Sequence, residues 1–167
     1  MKINILFLII AVFFGVVPII AQTEKEVAAI RAEVGSINKN AKSYRQRVKD
    51  VDGISLEGTQ ATYFTSGKGL KKITAKMYGE TFNASVELYY QDEKLIFAYQ
   101  KINRYDTHIA MTPPPKVIKT EEKRLYFSAG KMIKLLVGKS TIKPANRQWD
   151  ESETELIELA GALRAAY

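Results

Sequence analysis

The segment LYFSAGKMIKLLV, Leu125–Val137, decides the fold. An apolar run ends in an aromatic pair, a small polar stretch follows, and a second apolar run starts behind a lysine. Two variants precede it: TYFTSGKGLKKITA at Thr62–Ala75 and LYYQDEKLIFAYQ at Leu88–Gln100. In each, an aromatic pair (Tyr63-Phe64, Tyr89-Tyr90, Tyr126-Phe127) closes one run, and a lysine (Lys68, Lys94, Lys131) opens the next after a polar tripeptide. Aromatic side chains suit a pleated surface and small polar residues suit a tight turn, so each copy reads as a β-hairpin. Gly67 and Gly130 are expected to supply the positive φ that such turns need, and Asp92 to take that role where glycine is missing. Three hairpins in series predict an antiparallel meander of about six strands.

The flanking residues keep a period of two. Ile73, Ala75 and Met77 alternate with Lys72, Thr74 and Lys76, and Val86, Leu88 and Tyr90 alternate with Glu87 and Tyr89. That alternation marks strands with one face more apolar than the other. MYGETFN, from Met77 to Asn83, links the first two hairpins. Asn103 to Glu122, with its stiff triple proline Pro113 to Pro115, is expected to be the longest irregular segment.

Outside the hairpins the period lengthens. Val27, Ile30, Val34, Ile37, Ala41, Tyr44 and Val48 step by three and four, which places them on one stripe of a helix over Thr23 to Val51. Thr23 and Glu26 form a capping-box pattern, and Gly53 is a suitable stop. A heptad stripe can also serve a coiled-coil dimer, but Ala41 and Tyr44 are poor seam residues, so the stripe is read as covering the sheet. Near the C-terminus, Ser152 and Glu155 repeat the capping pattern, with Leu156, Leu159, Ala160, Leu163 and Tyr167 on one side of a second helix. The predicted fold is α+β: a long N-terminal helix, the meander, and a C-terminal helix, with both helices on one face of the sheet.

The chain has 167 residues, no cysteine, one histidine and a formal charge of +7. Met1-Lys2 is a basic start, and Ile3 to Ala21 is almost wholly apolar. This reads as a cleaved signal peptide over residues 1–21, leaving one domain at 22–167, in preference to an uncleaved anchor. The expected product is periplasmic or secreted, with no stable membrane anchor after cleavage. Without cysteine, a lipid-modified start, disulfides, thiolate metal sites and cysteine nucleophiles are excluded. The segment from Asp150 on holds five acids and one arginine, so the body before it is strongly basic. Such a body attracts anionic partners, although the same charge also serves solubility. An exported chain rarely meets nucleic acid, so that partner is not expected.

Chemistry is sparse. One histidine cannot build a histidine metal triad, and no phosphate loop or dinucleotide fingerprint is present, so neither a metal nor a cofactor is expected. His108 follows Asp106 by two residues on the proline-rich segment, which leaves a small hydrolase as an alternative function, without the Gly-x-Ser-x-Gly elbow. The leading expectation is a non-enzymatic binding or accessory protein of the bacterial cell envelope. Tyr63, Tyr89, Tyr126, Lys72, Lys76 and Lys94 are its candidate binding residues, on an exposed sheet face that docks an envelope protein or an anionic surface. The competing reading gives the tyrosines to strand packing and the lysines to edge protection, and a purely structural module remains a third possibility.

The stretches EGTQATYFTSGKGLKKITAKMYGETFNASVELYYQDEKLIFAYQKINRYD and EEKRLYFSAGKMIKLL resemble a family of exported bacterial proteins that join a signal peptide and an N-terminal helix to such hairpins. The resemblance spans about half of the chain after the signal. It implies export and the sheet, and no activity. The hairpins are also loosely similar to MORN-type repeats, from which QDEK departs. Neither likeness assigns a functional residue. Intact-mass analysis of the protein recovered from a periplasmic or culture fraction should place its N-terminus at Gln22. An intact Met1 in the membrane fraction would overturn the export reading.

Overall fold

The computed structural model describes residues 19–67 and 69–167. Most of the segment read as a signal, up to residue 18, lies outside the described residues, as does Lys68. The chain is α+β. Eight strands form one open antiparallel sheet in chain order: β1 (Arg45–Asp50), β2 (Thr59–Ser66), β3 (Gly69–Gly79), β4 (Phe82–Gln91), β5 (Lys94–Tyr105), β6 (Val117–Ser128), β7 (Lys131–Val137) and β8 (Ser140–Ile142). Helix α1 (Ile19–Asn40) precedes the sheet and α2 (Arg147–Ala165) follows it.

The three predicted hairpins are β2–β3, β4–β5 and β6–β7. Their strands account for six of the eight; β1 and β8 are added at the two edges. β1 arises where a longer helix was expected. The spacing of Ala41, Tyr44 and Val48 continues the helical stripe, but Val48 is 58 % exposed on the strand that forms instead. The chain instead makes a short 3-10 turn at Ala41–Ser43 and extends. RQRVKD then runs almost wholly exposed along an edge, where charged side chains discourage pairing with other chains. The Lys49 ammonium donates to the Ala166 carbonyl at 2.5 Å and the Tyr167 carbonyl at 3.1 Å. A cation suits the negative end of the α2 dipole.

Each hairpin carries a β-bulge at the same level. The register shifts after Phe64, Tyr89 and Tyr126, leaving Lys71, Ile96 and Ile133 as the extra residues. The aromatic pairs are therefore not equivalent. Phe64, not Tyr63, is the counterpart of Tyr89 and Tyr126, because the first hairpin has one more residue before its turn. A slip of one residue turns a side chain to the other face. The turn dihedrals differ between the hairpins as well. Positive φ falls at Gly69 in the first hairpin rather than at Gly67, at Asp92 and Glu93 in the second, and at Ala129 and Gly130 in the third.

The two helices lie on opposite faces of the sheet, not on one. Trp149, Leu156, Ala160 and Leu163 of α2 pack with Tyr63, Ile73, Leu88, Tyr90, Leu125, Phe127 and Leu135. Val27, Ile30 and Ile37 of α1 pack with Tyr89, Ile96 and Tyr126. Neighbours along a strand, such as Tyr89 and Tyr90, belong to different clusters, as strand geometry requires of opposite faces. Two of the bulges extend the α1-side patch, since their extra residues Ile96 and Ile133 join Tyr89 and Tyr126 there, while the extra residue of the first hairpin, Lys71, is polar.

Three smaller expectations also change. Asn146, not Ser152, caps α2, accepting from the Gln148 amide at 2.9 Å, so the helix starts early enough to bury Trp149. Thr23 sits inside α1 rather than at its cap, since the helix is already formed at Ile19. The segment from Asn103 to Glu122 is strand at both ends, paired Asn103↔Thr120 and Lys101↔Glu122, leaving residues 106–116 as a loop.

Leu156 is buried against the sheet while its neighbour Ile157 is 47 % exposed. Leu156→Ala should therefore cost about 2–5 kcal/mol and Ile157→Ala no more than about 0.5 kcal/mol in urea unfolding. Equal losses would mean that α2 does not present this face to the sheet.

Candidate functional site

The six candidate binding residues do not share an exposed face. Tyr63 is buried under α2, where its hydroxyl donates to the Leu163 carbonyl at 2.8 Å. Tyr89, Tyr126 and Lys72 are buried on the α1 side. Lys76 is exposed on the part of that side which α1 leaves open, and Lys94 is exposed at a hairpin tip. The open part of the sheet is not a lysine field either. One cross-strand row reads Asp50, Gln60, Lys76, Ser85, Lys101, Glu122, with two acids against two lysines.

Lys72 is the hub of a polar tether beneath α1. Its ammonium donates to Asn38 Oδ1 at 3.0 Å, Glu87 Oε2 at 2.7 Å and the Tyr89 phenol oxygen at 2.9 Å, which uses all three of its donors. The Tyr89 hydroxyl donates in turn to Glu87. Burial works to raise the Glu87 pKa, but the hydrogen bonds from Lys72 and Tyr89 and the charge of Lys72 outweigh it and hold the carboxyl below its usual range. Burial, reinforced by the bond to Glu87, pushes the Tyr89 phenol up. A lysine with every donor engaged and a phenol that keeps its proton make a fastening between helix and sheet, not a reactive pair.

His108 lies on the 106–116 loop. Its Nδ1 accepts from the Ala110 amide at 3.0 Å, and its Nε2 stands 3.8 Å from Glu80 Oε2. No serine or threonine hydroxyl is bonded to it among the described residues. Nor do any three His, Asp or Glu side chains group to hold a metal ion there.

A different place draws the elements together. β5 and β6 pair from Tyr105↔Val117 down to Phe97↔Tyr126 and no further. Below that level, residues 94–96 and 127–128 have no partner between β5 and β6, and the two hairpin tips do not pair with each other. The separation coincides with the bulges after Tyr89 and Tyr126, and bulges bend a strand and increase its twist. Each face has a cavity of about 290 Å³ at the gap, and both are lined by Lys94, Leu95, Phe127 and Gly130. Glu26 and Ile30 of α1 close one side, and α2 closes the other.

The α2-side groove is the more distinctive. Leu95, Phe127, Ile157 and Ala160 make apolar walls, and Tyr90 lines it as well. Tyr90 is 2 % exposed, and its hydroxyl has no hydrogen-bond partner among the described residues. Nearly all buried polar groups have one. Burial pushes this phenol up despite the opposing charge of Arg164, so it remains a donor. Lys94 and Arg164 stand exposed at the rim. Arg164 donates to the Glu93 carbonyl and to Glu93 Oε2, both at 2.6 Å, fixing the β4–β5 turn against α2. Glu153 of α2 accepts from the Met132 amide at 2.8 Å and fixes the β6–β7 hairpin in the same way. Both tips are thus pinned to α2 with a gap held between them.

Of the six sequence candidates, only Lys94 belongs to this groove. Tyr90 was visible in the sequence as a strand aromatic, but nothing there distinguishes its unsatisfied hydroxyl. No protein-family model, curated protein or solved structure matches the chain. Among the described residues no helix is long and apolar enough to cross a membrane.

Glu87→Gln tests the tether. A carboxyl held below its unfolded value stabilises the fold above the unfolded pKa, near 4.5, and loses that contribution as pH falls through the folded pKa. The variant should be less stable than the wild type by about 1–2 kcal/mol at pH 7, and the gap should close on acidification. Urea unfolding across pH reads it. A gap that persists at low pH would count against the ionised contact.

Proposed function

We propose that this protein is a non-catalytic binding protein of the bacterial cell envelope, and that the groove between α2 and the tips of the β4–β5 and β6–β7 hairpins is its ligand seat. The carrying observation is an apolar groove lined by Tyr90, whose buried hydroxyl has no hydrogen-bond partner among the described residues. A buried donor left unpaired costs about 1–3 kcal/mol, and a ligand acceptor reaching it would recover that cost. The groove also has the usual composition of a small-molecule site, with apolar walls and few polar groups. At about 290 Å³ it suits a small ligand. The export half of the proposal rests on Met1-Lys2 and the apolar run Ile3 to Ala21.

The bonds from α1 to the sheet support a body that stands without the leader. They come from Glu24 to Lys134, Glu26 to Ser128, Arg31 to Tyr126 and Asn38 to Lys72, all beyond Ala21. Cleavage there would leave each in place.

Gly161 gives a clean test. It lines the groove from α2, and a Cβ built on it meets nothing within 4 Å. Replacing a helical glycine with leucine should stabilise the helix by roughly 0.5–1 kcal/mol. Gly161→Leu should therefore unfold at the same or a higher temperature while losing uptake of a solvatochromic apolar dye that the wild type binds. A variant that binds the dye as well as the wild type would overturn the seat.

A further inference from the structure

The rim of this groove has a definite sign, which its apolar walls do not. Lys94 is exposed at the β5 start, lines both cavities, and has no acidic partner at ion-pair distance among the described residues. Arg164 spends two N–H donors on Glu93, one on its carbonyl and one on its carboxylate, which leaves three of the five donors of a guanidinium. Both cations line the α2-side groove, and no acid does. The third polar group is the Tyr90 hydroxyl, itself a donor. Every side-chain polar group in the lining is therefore a hydrogen-bond donor, two of the three are positive, and the rest of the surface is hydrocarbon. The α1-side cavity differs, since Glu26 and Asp92 put two carboxylates into its lining.

From this asymmetry we infer that the α2-side groove takes an anionic amphiphile: one short hydrocarbon chain ending in a carboxylate. This rests on the proposed seat and specifies its ligand. The chain lies against Leu95, Phe127, Ile157 and Ala160, and the open space over Gly161 gives it room. The carboxylate sits at the rim with Lys94 and the free edge of Arg164. A carboxylate only accepts hydrogen bonds, so it matches a site whose polar groups only donate. A cationic head meets like charge there. A neutral alcohol keeps the burial of its chain and forgoes the ionic contacts.

Titration calorimetry with decanoate, decanol and decyltrimethylammonium, below their aggregation concentrations, separates this inference from the reading beneath it. Decanoate should bind most tightly, decanol about tenfold more weakly, and the ammonium not measurably. Lys94→Glu should weaken decanoate about fivefold to tenfold and leave decanol unchanged, and raised salt should act in the same direction. Gly161→Leu should abolish both. If decanol binds as well as decanoate and Gly161→Leu abolishes both, the seat stands and the anionic class falls. If none of the three probes binds, the seat falls with it. If decanoate binding survives Gly161→Leu, the ligand lies elsewhere, on the basic surface.

Discussion

The structure depends on a single irregularity repeated three times. An antiparallel strand assigns alternate residues to alternate faces, and one inserted residue reverses the assignment beyond it. Each hairpin carries such an insertion near its turn, at Lys71, Ile96 and Ile133. Tyr89 and Tyr126 reach the α1 face by alternation alone, and the inserted Ile96 and Ile133 lie beside them, so that a second apolar patch forms there and α1 settles on it. The sheet thus becomes the middle layer of three near the hairpin tips. At the opposite end of the sheet the apolar side chains Tyr78, Ile109, Met111 and Val117 stay exposed.

The helices are fastened to that middle layer by polar contacts as well as by packing. α1 is held by Lys134 to Glu24 and by the Lys72 cluster at Asn38. α2 is held by Glu153 to the Met132 amide and by Arg164 to the β4–β5 turn. The last two contacts join the same helix to neighbouring hairpins whose tips do not pair with each other. They hold the tips at fixed positions along α2, and the groove is the space between. Directional bonds are suited to this, because hydrophobic packing alone favours closing such a gap. The gap therefore reads as a maintained feature of the fold rather than a packing defect.

Much of the meander was legible in the residues themselves. Hairpins are local objects, and the turn residues, the aromatic pairs and the period of two lie within a dozen positions of one another. The acid-rich tail helix was legible for the same reason. The strand β1 was not, because Ala41, Tyr44 and Val48 keep a helical spacing, although Val48 is exposed on the strand that forms. Tyr63 was grouped with Tyr89 and Tyr126 by its surroundings in the sequence, yet one additional residue before the turn sends it to the other face, where its hydroxyl meets Leu163. The binding candidates were chosen as tyrosines and lysines on an outer surface, and burial moved four of the six inside.

By itself, the sequence determined the position of three hairpins, the presence of a helix at each end, and the exclusion of thiol and histidine-cluster chemistry. Each of these follows from short-range pattern or from composition, which do not change on folding. Tertiary structure alone decided which face each helix covers, the place where two hairpin tips part, and the isolation of the Tyr90 hydroxyl. These are relations between residues far apart in the chain, seventy-one positions for Glu93 and Arg164 and one hundred for Tyr63 and Leu163, and no local pattern encodes them. The apolar stripe of a helix specifies that it must be buried. Only the assembled sheet, with its bulges in place, specifies against what.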